Sequence, residues 1–192
     1  MSAPDQAPAG LSLRPMEVAD LPRVARMEAE LFGAEAWSRQ TLSAELHAAA
    51  RGDRRYIVVE PGEDGQEDGQ QDGRGSRDGR DGFPLLGYAG LYHGDGLGDA
   101  DLLTLATAPA ARRQGLGRLM LAELVESARR AGCRAVLLEV RHSNTAARSL
   151  YLSQGFEPIG LRRRYYRAPV EDAVVMRLGL RASTGPVGAE AT

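Results

Sequence analysis

Residues 102–124 read LLTLATAPAARRQGLGRLMLAEL, and the order of features in this stretch decides the fold. A strand-like run ends at Thr107-Ala108-Pro109. The loop Arg112-Arg113-Gln114-Gly115-Leu116-Gly117 then opens directly into a helix. Leu116, Leu119, Met120, Leu124 and Ala128 form its apolar stripe, and Gly132 ends it. Glycines at 115 and 117 carry no Cβ, so a ligand can approach the backbone closely. The first-turn N–H groups have no intrahelical partner and point at that ligand. With the helix dipole they favour an anion, a pyrophosphate above all, by about 0.3–1 kcal/mol per charge at exposed sites. Arg112, Arg113 and Arg118 add positive field. The loop is not a nucleotide P-loop, because Gly-Lys-Ser/Thr is absent. It is not the dinucleotide fingerprint, because position 120 is Met where a third glycine belongs. The plainer reading is a glycine-bearing turn before a helix.

Outward from this stretch the chain alternates strands and helices. Leu11–Arg14 predicts a short strand. Asp20 is placed to cap a helix with Leu21, Val24, Met27 and Leu31 on one face. Ser38 is placed to cap a second, with Leu42, Leu46 and Ala49 inward. YIVVE (56–60) reads as a strand. Leu85–Tyr92 and Asp101–Thr107 read as an antiparallel pair joined through His93-Gly94-Asp95-Gly96. AVLLEV (135–140) is a buried strand, Thr145–Ser153 a short helix closed by Gly155, and Phe156–Tyr166 with Ala173–Leu178 a final strand pair. The predicted order is β-α-α-β-β-β-α-β-α-β-β, an α/β fold with a mixed sheet covered by helices on both sides.

Residues 61–82 (PGEDGQEDGQQDGRGSRDGRDG) hold seven glycines and no aliphatic or aromatic residue, so they predict a disordered insertion. Residues 1–10 and 181–192 predict flexible ends. The full 192 residues suit one domain, with 43% apolar residues for its core. The formal net charge of −2 excludes a strongly basic nucleic-acid binder. The single cysteine, Cys133, cannot form an internal disulfide or a multi-cysteine zinc site and reads as a small buried or half-buried filler. His47, His93 and His142 share no metal-ligand spacing, so no metal is expected. No apolar run reaches the ~20 residues needed to cross a bilayer, and the N-terminus lacks a signal core. A cytoplasmic protein is expected. All 24 basic residues are arginine, so no lysine can serve as nucleophile or phosphate-loop cation.

Arg/Gln-x-x-Gly-x-Gly after a strand resembles motif A of the GCN5-related N-acetyltransferases (GNAT), which hold the acetyl-CoA pyrophosphate in this way. The segment LLEVRHSNTAARSLYLSQGFEPIGLRRRYY (137–166) is similar to the second half of that superfamily. The resemblance runs from about Leu11 to Leu180, with 61–82 as an insertion. Three segments resemble the ribosomal-protein-alanine N-acetyltransferases within it: Trp37-Ser38…Leu42…Glu45-Leu46, Leu138-Glu139-Val140-Arg141-x-Ser143-Asn144, and Arg163-Arg164-x-Tyr166 followed by Glu171-Asp172-Ala173. Ala36 departs from the family pattern, which has Pro before Trp-Ser. The resemblance implies a GNAT fold with six to seven strands. It implies acetyl-CoA as donor, no metal, and the N-terminal peptide of a ribosomal protein as acceptor. Neither nucleic acid nor membrane is expected as a partner, and the chain is expected to be a monomer or weak dimer.

An α-amino group near pKa 8 is about 2.5 units easier to neutralise than a lysine, worth ~3.4 kcal/mol. A base still helps. Glu139 interrupts an apolar strand, where a carboxylate is costly unless used or hydrogen-bonded. It could face solvent or pair with an arginine such as Arg141; the resemblance makes it the proton acceptor. Tyr151 could simply pack; the resemblance makes it the acid that protonates the leaving thiolate. Asn144, the only asparagine in the chain, reads as a helix N-cap. The resemblance adds a hydrogen bond from Asn144 to CoA. It also lays the backbone of Leu105, Ala106 and Thr107 along the pantetheine. The cofactor-binding set is completed by Arg112, Arg113, Gln114, Gly115, Leu116, Gly117 and Arg118. Arg162, Arg163, Arg164 and Arg167, with Tyr165 and Tyr166, read as a solvated strand edge, then as peptide contact, and last as an RNA-stacking surface. The rivals to an α-amine enzyme are a GNAT enzyme acting on small amines or internal lysines and a non-catalytic acyl-CoA-binding subunit.

Overall fold

The computed structural model describes residues 10–62 and 84–180. Residues 1–9 and 181–192 of the predicted flexible ends and residues 63–82 of the predicted insertion lie outside the described residues, whereas Gly10 is described. The first two residues of the insertion are described. Pro61 closes a strand and pairs with Leu11, and the Gly62 amide donates to the Gly10 carbonyl at 2.8 Å.

The elements follow the predicted order: β1 (Leu11–Pro15), α1 (Leu21–Phe32), α2 (Arg39–Ala49), β2 (Arg54–Pro61), β3 (Gly87–Tyr92), β4 (Ala100–Thr107), α3 (Leu116–Ala131), β5 (Ala135–Arg141), α4 (Thr145–Ser153), β6 (Glu157–Arg167) and β7 (Val170–Gly179). The strands form one seven-stranded mixed sheet in the order β1-β2-β3-β4-β5-β7-β6. Strand alternation divides the core between its faces. Ile57 and Val59 of β2 join Leu116, Met120 and Leu124 of α3 on one face. Tyr56 and Val58 join Val24 and Met27 of α1 and Leu42 of α2 on the other. Cys133 is buried, as expected.

Ser38 caps α2, its Oγ accepting from the Thr41 amide at 3.0 Å. Asn144 caps α4, its Oδ1 accepting from the Ala147 amide at 3.1 Å. Asp20 does not cap α1 through its side chain. Its fully buried carboxylate instead accepts from both Nη atoms of Arg14, from Arg23 and from the Glu17 amide. Two arginines, Arg23 buried and Arg14 partly so, claim this carboxylate more strongly than helix amides can. Burial pushes the Asp20 carboxyl up, but the bonds from Arg14, Glu17 and Arg23 outweigh it and pull its pKa down to about 2.

The relation that shapes the site is between β4 and β5. They are parallel and pair only at Ala100–Val136 and Asp101–Leu137. A β-bulge lies next along β4. Gly90 of β3 faces Thr104 while Leu91 faces Leu102, so Leu103 is the extra residue. A bulge bends its strand, and past it β4 stays with β3 as far as Thr107 and leaves β5. The sheet opens into a wedge between the C-terminal halves of the two strands.

Candidate active site

A cavity of about 530 Å³ fills the wedge. Leu102, Leu103, Thr104 and Leu105 of β4 form one wall, and Leu138, Glu139, Val140 and Arg141 of β5 the other. Asn144, Ala147 and Tyr151 approach from α4, and Tyr166 and Glu171 from the β6–β7 hairpin. The predicted base, acid and cap residue therefore line one space, although β5 and α4 carry them separately.

Glu139 is partly exposed, and its Oε1 lies 3.1 Å from an Nη of Arg162 on β6. The sequence suggested Arg141 as an ion-pair partner, and the structure replaces it. Arg141 is held by Glu35 and Glu171 instead. Arg162 is 56% exposed and sits 5.6 Å from the Tyr165 ring centroid. The arginine-rich segment is an edge strand, as read from sequence.

Tyr151 is 7% exposed and packs against Phe156, with ring centroids 5.7 Å apart. Burial pushes its phenol well above the usual tyrosine range, so it keeps its proton at neutral pH. Burial also pushes Tyr166 up, to about 12.

Among the cofactor candidates, Leu105 lines the cavity. Ala106 turns into the core under α1 and α2, and Thr107 ends the strand. Arg112, Arg113, Gln114 and Arg118 are exposed around the start of α3, apart from the cavity lining. The two glycines serve different ends. Gly115 has φ +82 with open space where a Cβ would stand, so the backbone turn itself requires it. A Cβ on Gly117 would lie 3.1 Å from Leu150 Cδ2 and 3.6 Å from Leu105 Cδ2. Gly117 thus lets the start of α3 close on α4 and β4, beside the cavity. No side chain caps α3, which leaves its leading N–H groups for an anion. These features fit a CoA pyrophosphate. Among the described residues, no group of His, Cys, Asp and Glu is arranged to hold a metal ion.

Two cavity carboxylates, Glu28 and Glu35, were missed by the sequence reading. Glu28 is 2% exposed. It accepts from the Tyr88 hydroxyl and, at 2.9 Å, from the Trp37 amide. Burial pushes its carboxyl up, against the pull of that amide. Its signal was present: 24, 28 and 31 continue the inward helical spacing of α1. Glu35 had no such signal, because its partners lie more than a hundred residues away.

Residues 22–156 match the family model described as Acetyltransferase (GNAT) family. The chain is 36% identical over 165 residues to N-alpha-acetyltransferase RimI of Mycobacterium tuberculosis, covering 83% of this chain and 86% of that protein. It is 43% identical over 84 residues to [ribosomal protein bS18]-alanine N-acetyltransferase of Escherichia coli, covering 43% of this chain and 57% of that one. The crystal structure of the ribosomal-protein-S18-alanine N-acetyltransferase from Escherichia coli superposes with a TM-score of 0.66 at 26% identity, covering 95% of this chain and 99% of that one.

Proposed function

The chain belongs to the acetyltransferase (GNAT) family, and from that premise we propose that it acetylates the α-amino group of an alanine-first ribosomal protein. One observation carries the mechanistic part of the reading. Glu139 on β5 and Tyr151 on α4 line the same cavity, at the place where β4 leaves β5. A base and an acid are thereby available to one reacting centre.

Acetyl-CoA, when bound, supplies an activated acetyl thioester. The N-terminus of α3, with Arg112, Arg113, Gln114, Leu116 and Arg118 around Gly115 and Gly117, holds the pyrophosphate. The edge of β4 at Leu105, Ala106 and Thr107 receives the amide arm, and one N–H there polarises the thioester carbonyl. Asn144 already uses its Oδ1 on the Ala147 amide, and its side-chain NH2 is the group left to donate to CoA.

Glu139 takes up the proton of the incoming ammonium, directly or through a water. The neutral amine attacks the thioester carbonyl directly, and the C–N bond forms as the C–S bond breaks. Tyr151 donates its proton to the departing sulfur, and the second proton shed by the acylated nitrogen restores the phenol. Its raised pKa ensures that the proton is present. The same dry surroundings strengthen a thiolate as a base, so the transfer stays close to level.

Acetyl transfer to two peptides, read by mass spectrometry, tests the reading. One begins with Ala and has a free N-terminus. The other has a blocked N-terminus and one internal lysine. Acetylation of the first alone is expected. Acetylation of the second alone would move the activity to lysine side chains, and modification of neither would remove the acceptor assignment.

A further inference from the structure

Arg141 lies two residues past Glu139, so strand alternation turns both side chains to one face, and both line the cavity. Its Nη1 donates to Glu171 at 3.0 Å and to the Pro169 carbonyl at 3.3 Å. Its Nη2 donates to the Ala168 carbonyl at 3.2 Å and to Glu35. Its guanidinium carbon lies 4.1 Å from the Tyr166 ring centroid. The two carboxylates are themselves tied down. Glu35 accepts the amides of Arg167 at 2.8 Å and Ala168 at 3.2 Å, and Glu171 accepts the Ser143 amide at 2.5 Å. One guanidinium therefore joins three segments remote in sequence: the α1–α2 connection, the end of β5 with its loop into α4, and the β6–β7 turn. None of these partners belongs to the β4–α3 loop.

We propose that Arg141 is the positioning residue of the acceptor entrance. By clasping Glu35 to the β6–β7 turn, it fixes the Tyr166 ring and sets the width of the slot through which an amine reaches Glu139. The inference rests on the reading that this cavity accepts an N-terminal amine. The chemistry requires arginine at this position. A planar fork of donors can serve two carboxylates and two carbonyls while its face covers an aromatic ring. A lysine ammonium is a point charge with three donors and cannot span the same set.

The test uses the full chain with Arg141→Gln, Arg141→Lys and Glu35→Gln. Steady-state kinetics with the Ala-first peptide, calorimetric binding of acetyl-CoA, and amide hydrogen exchange without substrate are measured for each. In Arg141→Gln the peptide KM is expected to rise about tenfold or more, with kcat changed far less, because the acceptor is misplaced rather than the chemistry removed. Acetyl-CoA affinity falls far less than peptide KM rises, since the pyrophosphate groups of the β4–α3 loop lie outside the clasp and only Asn144 adjoins it, through Ser143. The Arg167 and Ala168 amides exchange faster. Arg141→Lys recovers part of the exchange protection, and Glu35→Gln shifts KM and exchange in the same direction with Arg141 intact. Unchanged peptide KM in a folded Arg141→Gln variant overturns the proposal, as does an equal loss of acetyl-CoA binding. If Arg141→Gln does not fold, Glu35→Gln decides by the same two readouts. Should the wild-type chain acetylate no N-terminal amine, the acceptor reading fails by itself. Hydrogen exchange still judges the clasp, and unchanged exchange overturns it.

Discussion

The Tyr166 hydroxyl donates to the backbone carbonyl of Glu139 across 3.4 Å. β7 stands between the strands that carry these residues, so Tyr166 reaches over a whole strand to meet the candidate base. The contact joins the edge hairpin to the wall of the wedge.

Glu139→Gln keeps the shape of the side chain and removes its basicity. Turnover is expected to fall by about 10²–10⁴-fold, the usual worth of a positioned base, with acetyl-CoA binding nearly unchanged. The exposed Arg162 partner makes the stability cost small, about 0–1 kcal/mol. Rate profiles from pH 6 to 9 check this, and wild-type turnover across that range would remove Glu139 from the role.

Tyr151→Phe keeps the ring contact with Phe156 and deletes only the proton donor. Stability should barely change, while turnover should fall by about 10²-fold or more. Thermal unfolding measured beside free-CoA release separates the two effects. Equal turnover would leave Tyr151 as a packing residue.

Gly117→Val places new atoms against Leu150 and Leu105 and pushes the start of α3 away from the wedge. Acetyl-CoA affinity should drop by about tenfold or more, because the leading N–H groups lose their aim. Some stability should go as well, about 1–3 kcal/mol from overpacking. Isothermal titration gives the affinity, and an unchanged value would end the pyrophosphate assignment.

Asp20 makes the acid limb of the stability curve specific. Its carboxyl is held at about 2, below the ordinary 3.8. A depressed acid contributes stability that is present above the unfolded value and is lost as pH falls through the folded one. The window is therefore about pH 4 down to 2, and the contribution is about 2 kcal/mol. Asp20→Asn should cost most at neutral pH, and the gap to wild type should narrow across that window. Urea unfolding at several pH values measures the gap; a constant gap would contradict the assignment.

Glu28 acts in the opposite sense. Burial raises its carboxyl, so the folded state binds a proton more readily and gains stability as pH falls towards the ordinary carboxylate range. Glu28→Ala removes the acceptor of both the Tyr88 hydroxyl and the Trp37 amide and leaves Tyr88 only its bond from Thr104, at about 1–3 kcal/mol in all. Glu28→Gln retains an acceptor and should be distinctly milder in denaturant unfolding.

Local patterns reached far in this chain. The order of all eleven elements, the stripe of α3 and the caps at Ser38 and Asn144 were legible because they depend on neighbours three or four residues apart. The misreadings share a cause. Asp20 looks like a cap in its own turn, yet Arg14 on β1 and Arg23 on α1 converge on it. Arg141 looks like a partner for Glu139, yet strand pairing brings Arg162 across instead.

By itself, then, the sequence determined the alternation of strands and helices, the glycine-bearing turn that opens α3 and the residue types available for acid–base chemistry. These follow from periodicity, backbone freedom and side-chain pKa, which are properties of short stretches. Only the tertiary structure decided that β4 parts from β5 after two paired positions. It alone set Glu28 and Glu35 in the opened wedge and turned Arg141 into a clasp between the α1–α2 connection and the β6–β7 turn. Ion pairs and cavity walls are made by groups far apart along the chain, and their distances are set by packing and sheet register, which no local pattern encodes.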